Sequence, residues 1–316
     1  MEKREIGKSG IKVAPFALGG NVFGWTIDEK RSFEVLDAFC GAGLDLIDTA
    51  DMYSTWAPGN KGGESETIIG NWLNKSKKRD EVVIATKVGK PMGADKKGLS
   101  RKYIIQAVED SLMRLQTDYI DLYQSHQDDK TVPLEESLEA FTGLIKQGKV
   151  RAIGASNYDA VRFKETLAVS DENNLASYTC LQPEYNLYNR EDYENNFEPV
   201  CRERNIGVLS YYSLASGFLT GKYRSENDLS KSSRGVGVKQ FLDQRGFKIL
   251  AALDKVASNY GVKPAAIALA WIISRTGITA PIASATSVPQ LNELISSVNI
   301  RLTGEDIDQL NEASVY

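Results

Sequence analysis

Four side chains in this 316-residue chain have the types and spacing for proton and charge transfer at a carbonyl: Asp48, Tyr53, Lys87 and His126. A tyrosine hydroxyl titrates at about 10, so near neutral pH it gives up a proton readily only where the developing phenolate is stabilised. A neighbouring ammonium does this. Lys87 beside Tyr53 is expected to lower the phenol's pKa, with Asp48 paired to Lys87 to hold the cation in a partly desolvated site. His126, the single histidine of the chain, can point a ring N–H at a carbonyl oxygen and stabilise the charge that builds there. The set suits hydride addition to a carbonyl, with the hydride supplied by a cofactor. Taken one at a time, each residue has an ordinary reading: a capping Asp, a half-buried Tyr, a solvated Lys or His. A rim lysine also fits a Schiff-base aldolase. That chemistry needs a neutral amine, however, and Asp48 with an acidified Tyr53 favours the charged one.

The elements between these residues must bring them to one place. Apolar or β-branched runs at 16–18, 44–48, 82–87, 119–123, 150–155, 180–184, 207–211 and 278–282 read as eight strands. Stretches at 31–39, 103–115, 134–145 and 265–273 carry apolar residues at helical spacing. Gly41, Gly43 and Gly148 follow helices, and Pro133 is expected in a helix's first turn. Parallel β/α units repeated eight times predict a (β/α)8 TIM barrel, a single domain over 1–316. Ahead of it, residues 3–6 and 11–13 flank Gly7-Lys8-Ser9-Gly10 as an N-terminal β-hairpin that plugs the barrel floor. Asp48 then ends the second barrel strand, Lys87 the third, and His126 lies just past the fourth, at the face where barrels build active sites. Two loops are long and polar: 53–63, and 212–247, which reads as a lid that is mobile until a ligand is bound.

Composition narrows the function. No stretch approaches the roughly 18 apolar residues of a membrane span, and the charged N-terminus has no leader-like apolar run, so a soluble, cytoplasmic protein without a membrane partner is expected. A net charge of −4 with interspersed signs offers no stripe for nucleic acid. One histidine and three scattered cysteines, Cys40, Cys180 and Cys201, do not make a zinc site, so no metal is expected and the thiols read as buried. There is no P-loop, and Gly41-Ala42-Gly43 lacks the third glycine of a Rossmann turn.

Several stretches, in order, resemble the aldo-keto reductases over nearly the whole chain: Leu46-Ile47-Asp48-Thr49-Ala50-Asp51-Met52-Tyr53, Gly63-Glu64-Ser65-Glu66 with Ile69-Gly70, Ile84-Ala85-Thr86-Lys87, Tyr119-Ile120-Asp121-Leu122-Tyr123 through His126, Gly148 to Asn157, Leu181-Gln182-Pro183-Glu184-Tyr185-Asn186, and Gly217 to Tyr223. The likeness is to the lid-bearing bacterial-type branch, which potassium-channel β subunits resemble. It implies that Asp48, Tyr53, Lys87 and His126 are the family's catalytic tetrad, acting on a small-molecule carbonyl substrate.

The resemblance also implies that Ser156, Asn157 and Gln182 hold a nicotinamide carboxamide and that Tyr211 stacks on its ring. Gly20, Asn21, Asp48, Tyr212, Ser213, Leu214, Ser216 and Gly217 fall at further cofactor positions. Ser284, Thr286, Gln290 and Glu293 match adenosine contacts, although Leu294 replaces a common Asn and Ser287-x-x-Gln290 also reads as a capping box. Where the family has Tyr-Ser-Pro-Leu, this chain has Tyr211-Tyr212-Ser213-Leu214. Lys222 and Arg234 match cations that reach the cofactor phosphates and the 2′-phosphate, which favours NADP(H). The segment 284–290 carries no cation and leans towards NAD(H). Trp25, Tyr53, Trp56, Tyr123 and His126, with Tyr188, are the expected substrate pocket. The remaining alternative is a cofactor-binding regulatory subunit with little turnover.

Overall fold

The computed structural model describes residues 2–232 and 235–316. Its centre is a closed barrel of eight parallel strands: β3 (Ala17–Gly19), β4 (Leu46–Asp48), β5 (Val83–Val88), β6 (Ile120–Ser125), β7 (Val150–Ser156), β8 (Cys180–Gln182), β9 (Gly207–Ser210) and β10 (Ile278–Ala283), with β10 closing on β3. All eight fall within a few residues of the runs expected from the sequence. Ahead of them, β1 (Arg4–Glu5) and β2 (Lys12–Val13) form the antiparallel hairpin. Its Ile6, Ile11 and Val13 join the inward-facing Ala17, Leu46, Ala85, Leu122 and Leu209 in one buried cluster, so the hairpin fills the barrel floor.

The α-helices of the described residues are α1 (Glu29–Gly41), α2 (Glu64–Ser76), α3 (Arg101–Leu115), α4 (Leu134–Lys146), α5 (Ala160–Glu172), α6 (Glu198–Arg204), α7 (Gln244–Tyr260), α8 (Pro264–Ser274), α9 (Val288–Ile295) and α10 (Gly304–Ala313). Side chains of Asp28, Ser100, Asp159 and Asp243 accept from backbone N–H groups at the starts of α1, α3, α5 and α7. Pro133 takes the N-cap position of α4, one residue before the first turn expected for it. At α9, Ser287 caps the N–H of Gln290, but the Gln290 amide oxygen accepts from the N–H and hydroxyl of Thr286, so the reciprocal half of the expected capping box is absent. Among the described residues no single helix is long and apolar enough to cross a membrane; α8 is apolar on every side because every side is covered.

The long loop, read from the sequence as a polar lid, carries short turns and buried apolar side chains. It ends at Asp243, since Phe247 already belongs to α7, and it folds into three short 3-10 turns at Ala215–Thr220, Glu226–Lys231 and Gly235–Phe241. Phe218, Leu219, Tyr223, Val238 and Phe241 are buried, and the Phe241 ring lies 5.5 Å from Phe218 and 4.8 Å from Tyr188. The lid therefore carries its own apolar anchor.

The Gly-Glu-Ser-Glu stretch ties α2 to the barrel mouth. Glu64 accepts from the N–H groups of Lys61 and Gly62, Ser65 donates to the carbonyl of Gly20, and Glu66 accepts from Thr86 on β5 and from Arg114 on α3. Gly70 lets α2 and α3 approach this closely, because a Cβ there would stand 2.1 Å from the Arg114 carbonyl oxygen. Alanine ordinarily stabilises a helix interior over glycine by about 1 kcal/mol. Here we expect Gly70→Ala to destabilise by roughly 1–3 kcal/mol through overpacking, read as a lowered Tm; an unchanged or raised Tm would show that the two helices part freely.

Candidate active site

Parallel register sets the centre of the site. Asp48 ends β4 opposite Ala85 of β5, so Lys87 sits one inward step higher, beside Gln124 of β6. The Lys87 ammonium is fully buried and its donors go to three acceptors: Asp48 Oδ2 at 2.6 Å, the Thr49 carbonyl at 2.7 Å and Tyr53 Oη at 3.0 Å. The other carboxylate oxygen of Asp48 accepts from Gln182 Nε2 at 2.9 Å. The turn after β4 carries Tyr53 back over the barrel, pinned by the Ser54 hydroxyl on the carbonyl of Phe23 at 2.7 Å. His126 packs edge-on to Tyr53 with ring centroids 6.0 Å apart, and Asn157 Nδ2 donates to the His126 carbonyl at 2.7 Å.

The titration of this group differs in one respect from expectation. Burial pushes Tyr53 up to about 12; the Lys87 ammonium works downward, but Asp48 and desolvation outweigh it. Lys87 is also raised: burial opposes its charge, and Asp48 and Tyr53 more than compensate. His126 is pushed well below its ordinary value by burial and by the ammoniums of Lys87 and Lys90, so it is a neutral imidazole. Its Nδ1 is buried with no partner among the described residues.

Over these groups lies a cavity of about 690 Å³. Asp48, Tyr53 and His126 line it together with Trp56, Met52 and Lys90; so do Ser156, Asn157, Gln182 and Tyr211 from later strands, Ser284, Thr286 and Gln290 from after β10, and Ser216, Gly217 and Lys222 of the lid.

A family model, the Aldo/keto reductase family, matches residues 15–315. The chain belongs to this family. Among aldo/keto reductases it is 35% identical to aldo-keto reductase YhdN of Bacillus subtilis, over 98% of this chain and 93% of that one. It is 33% identical to an uncharacterized oxidoreductase of the same organism, YrpG, over 99% and 95%. It is also 31% identical to a probable voltage-gated potassium channel subunit beta of rice, Oryza sativa subsp. japonica, over 98% and 95%. The family's reaction is NAD(P)H-dependent reduction of small-molecule carbonyls.

Most residues expected at the site are brought to this aldo/keto reductase cavity, and some are not. Asn21, Tyr212, Ser213 and Leu214 stand in its wall. Gly20 and Glu293 do not: Gly20 lies beneath it, its carbonyl taken by Ser65, and Glu293 is half-buried further along α9. Arg234 lies outside the described residues. Trp25 stands behind Trp56, edge to face at 5.6 Å, and is not itself in the wall. Tyr188 belongs to the lid anchor, its hydroxyl donating to Asp243 at 2.7 Å. Tyr123 is the clearest correction. On β6, Leu122 and Gln124 point inward, so Tyr123 points out, against Phe141 of α4 with centroids 5.8 Å apart. Gln124 and Lys90 were missed: β6 is buried along its whole length, so no alternation marks Gln124 as inward, and Lys90 lies past the end of β5.

Asp51 belongs to the motif but faces away from the cavity. Its carboxyl is pushed well above the ordinary range by burial and by nearby Glu66, with Arg114 opposing, and neither oxygen has a partner among the described residues. In the unfolded chain it titrates near 4. Between that value and its raised folded one, the unfolded state binds fewer protons, so stability falls as pH rises. Asp51→Asn removes this loss. We expect the variant's Tm advantage to widen between pH 5 and pH 8, by about 3 °C; a gap independent of pH would show that Asp51 does not titrate in this way.

Proposed function

We propose that this chain reduces aldehyde or ketone carbonyls to alcohols with NADPH, and that Tyr53 gives the proton. The observation that carries this reading is the direction of one hydrogen bond. The Lys87 ammonium can only donate to Tyr53 Oη, so the phenol proton must point elsewhere, and Asp48 Oδ2 at 3.5 Å is a poor acceptor. The proton is left to a carbonyl oxygen in the cavity. A phenol held at about 12 stays protonated at neutral pH, and an oxygen that has become alkoxide-like is basic enough to take its proton. Lys87 then stabilises the phenolate, Asp48 and the Thr49 carbonyl hold Lys87 in place, and neutral His126 offers one ring N–H to the carbonyl oxygen. A permanently charged Lys87 is the wrong state for a Schiff base.

The residues present fit a nicotinamide dinucleotide, which when bound supplies the hydride. Ser156, Asn157 and Gln182 offer hydroxyl and amide groups beside the four reactive side chains, and Tyr211, whose hydroxyl donates to Asn157 at 2.9 Å, offers a ring for stacking. In the lid, Ser216 and Gly217 take left-handed backbone conformations in succession, and a Cβ on Gly217 would lie 3.8 Å from the Lys222 ammonium. That ammonium has no carboxylate partner among the described residues, which suits a phosphate. Ser284, Thr286 and Gln290 serve the adenosine end, and Arg234 reads the 2′-phosphate.

Two measurements test this. Tyr53→Phe is expected to lower reduction of a simple aldehyde by roughly 10²- to 10⁴-fold while NADPH still binds; full turnover in that variant with chemistry rate-limiting would remove Tyr53 as donor. The same assay addresses the regulatory-subunit reading suggested by the rice relative, since a protein of that kind turns over little even with Tyr53 intact. For the cofactor, Arg234→Ala should weaken NADPH by about one to two decades and spare NADH. Equal dissociation constants for the two in the unmodified protein would withdraw the NADPH preference.

A further inference from the structure

Among the described residues three charged side chains line the cavity, and they are not equivalent. Asp48 is neutralised by Lys87 at 2.6 Å. Lys222 stands at the lid, beside Gly217. Lys90 lines the same cavity as Tyr53, Met52, Trp56 and His126, near enough to His126 and Lys87 for the charges to act on one another, and among the described residues no carboxylate lies within ion-pair distance of it. Its place is set by the backbone: Gly89, at φ 118°, turns the chain back over the barrel mouth immediately after β5, and the Gly98 N–H donates to the Gly89 carbonyl at 2.9 Å to close the loop at its base. Lys90 is half-buried, and burial together with the neighbouring Lys87 ammonium lowers its proton affinity. An ammonium that is partly desolvated, faces a second cation and has no counter-ion is an arrangement that an incoming anion relieves.

We propose that Lys90 is a substrate-binding residue and that the preferred substrates are aldehydes or ketones carrying a carboxylate. This rests on the carbonyl-reductase reading of the same cavity. With the carbonyl oxygen between Tyr53 and His126, the remainder of the substrate lies along Trp56 and Met52, an apolar surface that binds a carbon skeleton without regard to charge. Lys90 adds the charge selection. A phosphate-bearing carbonyl would meet the same ammonium, but a carboxylate brings the single negative charge that balances it, whereas a dianion would leave a second charge uncompensated in a half-buried wall.

The test compares 4-carboxybenzaldehyde with its methyl ester, which keeps the shape and loses the charge. We expect the unmodified protein to favour the acid by roughly tenfold in kcat/KM, mainly through KM, and the preference to shrink as salt is added. Lys90→Met should bring the acid-to-ester ratio to about one, and Lys90→Arg should retain most of it. Benzoate binding, followed by the fluorescence of cavity tryptophan, reads the same contact without turnover and should weaken by a similar factor in Lys90→Met but not in Lys222→Met. If no aldehyde is reduced yet benzoate binding depends on Lys90, the reaction assignment fails and the anion site stands. If the acid has no advantage over the ester, or the ratio and benzoate binding survive in Lys90→Met, the proposal is overturned. A 4-formylphenyl phosphate that outperforms the carboxylate would replace the substrate class with phosphorylated carbonyls.

Discussion

Everything at the mouth of this barrel depends on keeping one ammonium charged in a place without water. Lys87 is fully buried, and an uncompensated cation there would cost several kcal/mol. Three acceptors prevent that, and each comes from a different kind of structure: a side chain at the end of β4, a backbone carbonyl in the turn after it, and a phenol at the turn's far end. The turn conformation, the height of Lys87 on β5 and the inward tilt of Tyr53 are therefore one constraint. Moving any of them leaves a donor unsatisfied, which is a steep penalty over a short distance.

The same constraint sets the electrostatics of the cavity. Asp48 spends one oxygen on Lys87 and the other on Gln182, so it presents no free negative charge to a ligand. Desolvation raises Tyr53 while Lys87 opposes the rise, and the balance keeps the phenol protonated without isolating its future phenolate from a cation. His126, between two ammoniums, stays neutral. The side of the site around Asp48 and Lys87 is thus close to charge-balanced, which gives weight to Lys90, an ammonium with no carboxylate beside it among the described residues.

Around this centre, polar ties behind the barrel wall do work that apolar packing alone could not direct. Glu66 joins α2 to β5 and α3 through Thr86 and Arg114, and Asp121 accepts from Arg79, Arg151 and the N–H of Ile84. Hydrogen bonds of fixed direction lock the height of neighbouring strands and helices, whereas a hydrophobic layer would tolerate sliding. Strand height is what decides whether Lys87 and Asp48 meet.

Alternation of strand-like and helix-like segments was legible in the chain, and so was the barrel, because period and turn residues are local properties. The meeting of Asp48, Tyr53, Lys87 and His126 was legible as well, since side chains at the ends of successive parallel strands must converge on one face. The sequence did not separate Tyr123 from Gln124, two neighbours on one buried strand: with both faces covered there is no polar-apolar alternation to reveal parity, and only the register with β5 and β7 assigns Gln124 to the inside. It did not foretell the upward shift of Tyr53 either, since desolvation is a sum over everything that excludes water from the site. The lid read as polar because its buried apolar residues are spread among charges, and only folding gathers Phe218, Phe241 and Tyr188 into one anchor. Local chemistry and period are written along the chain; inside against outside, and water against its absence, are decided between segments far apart in it.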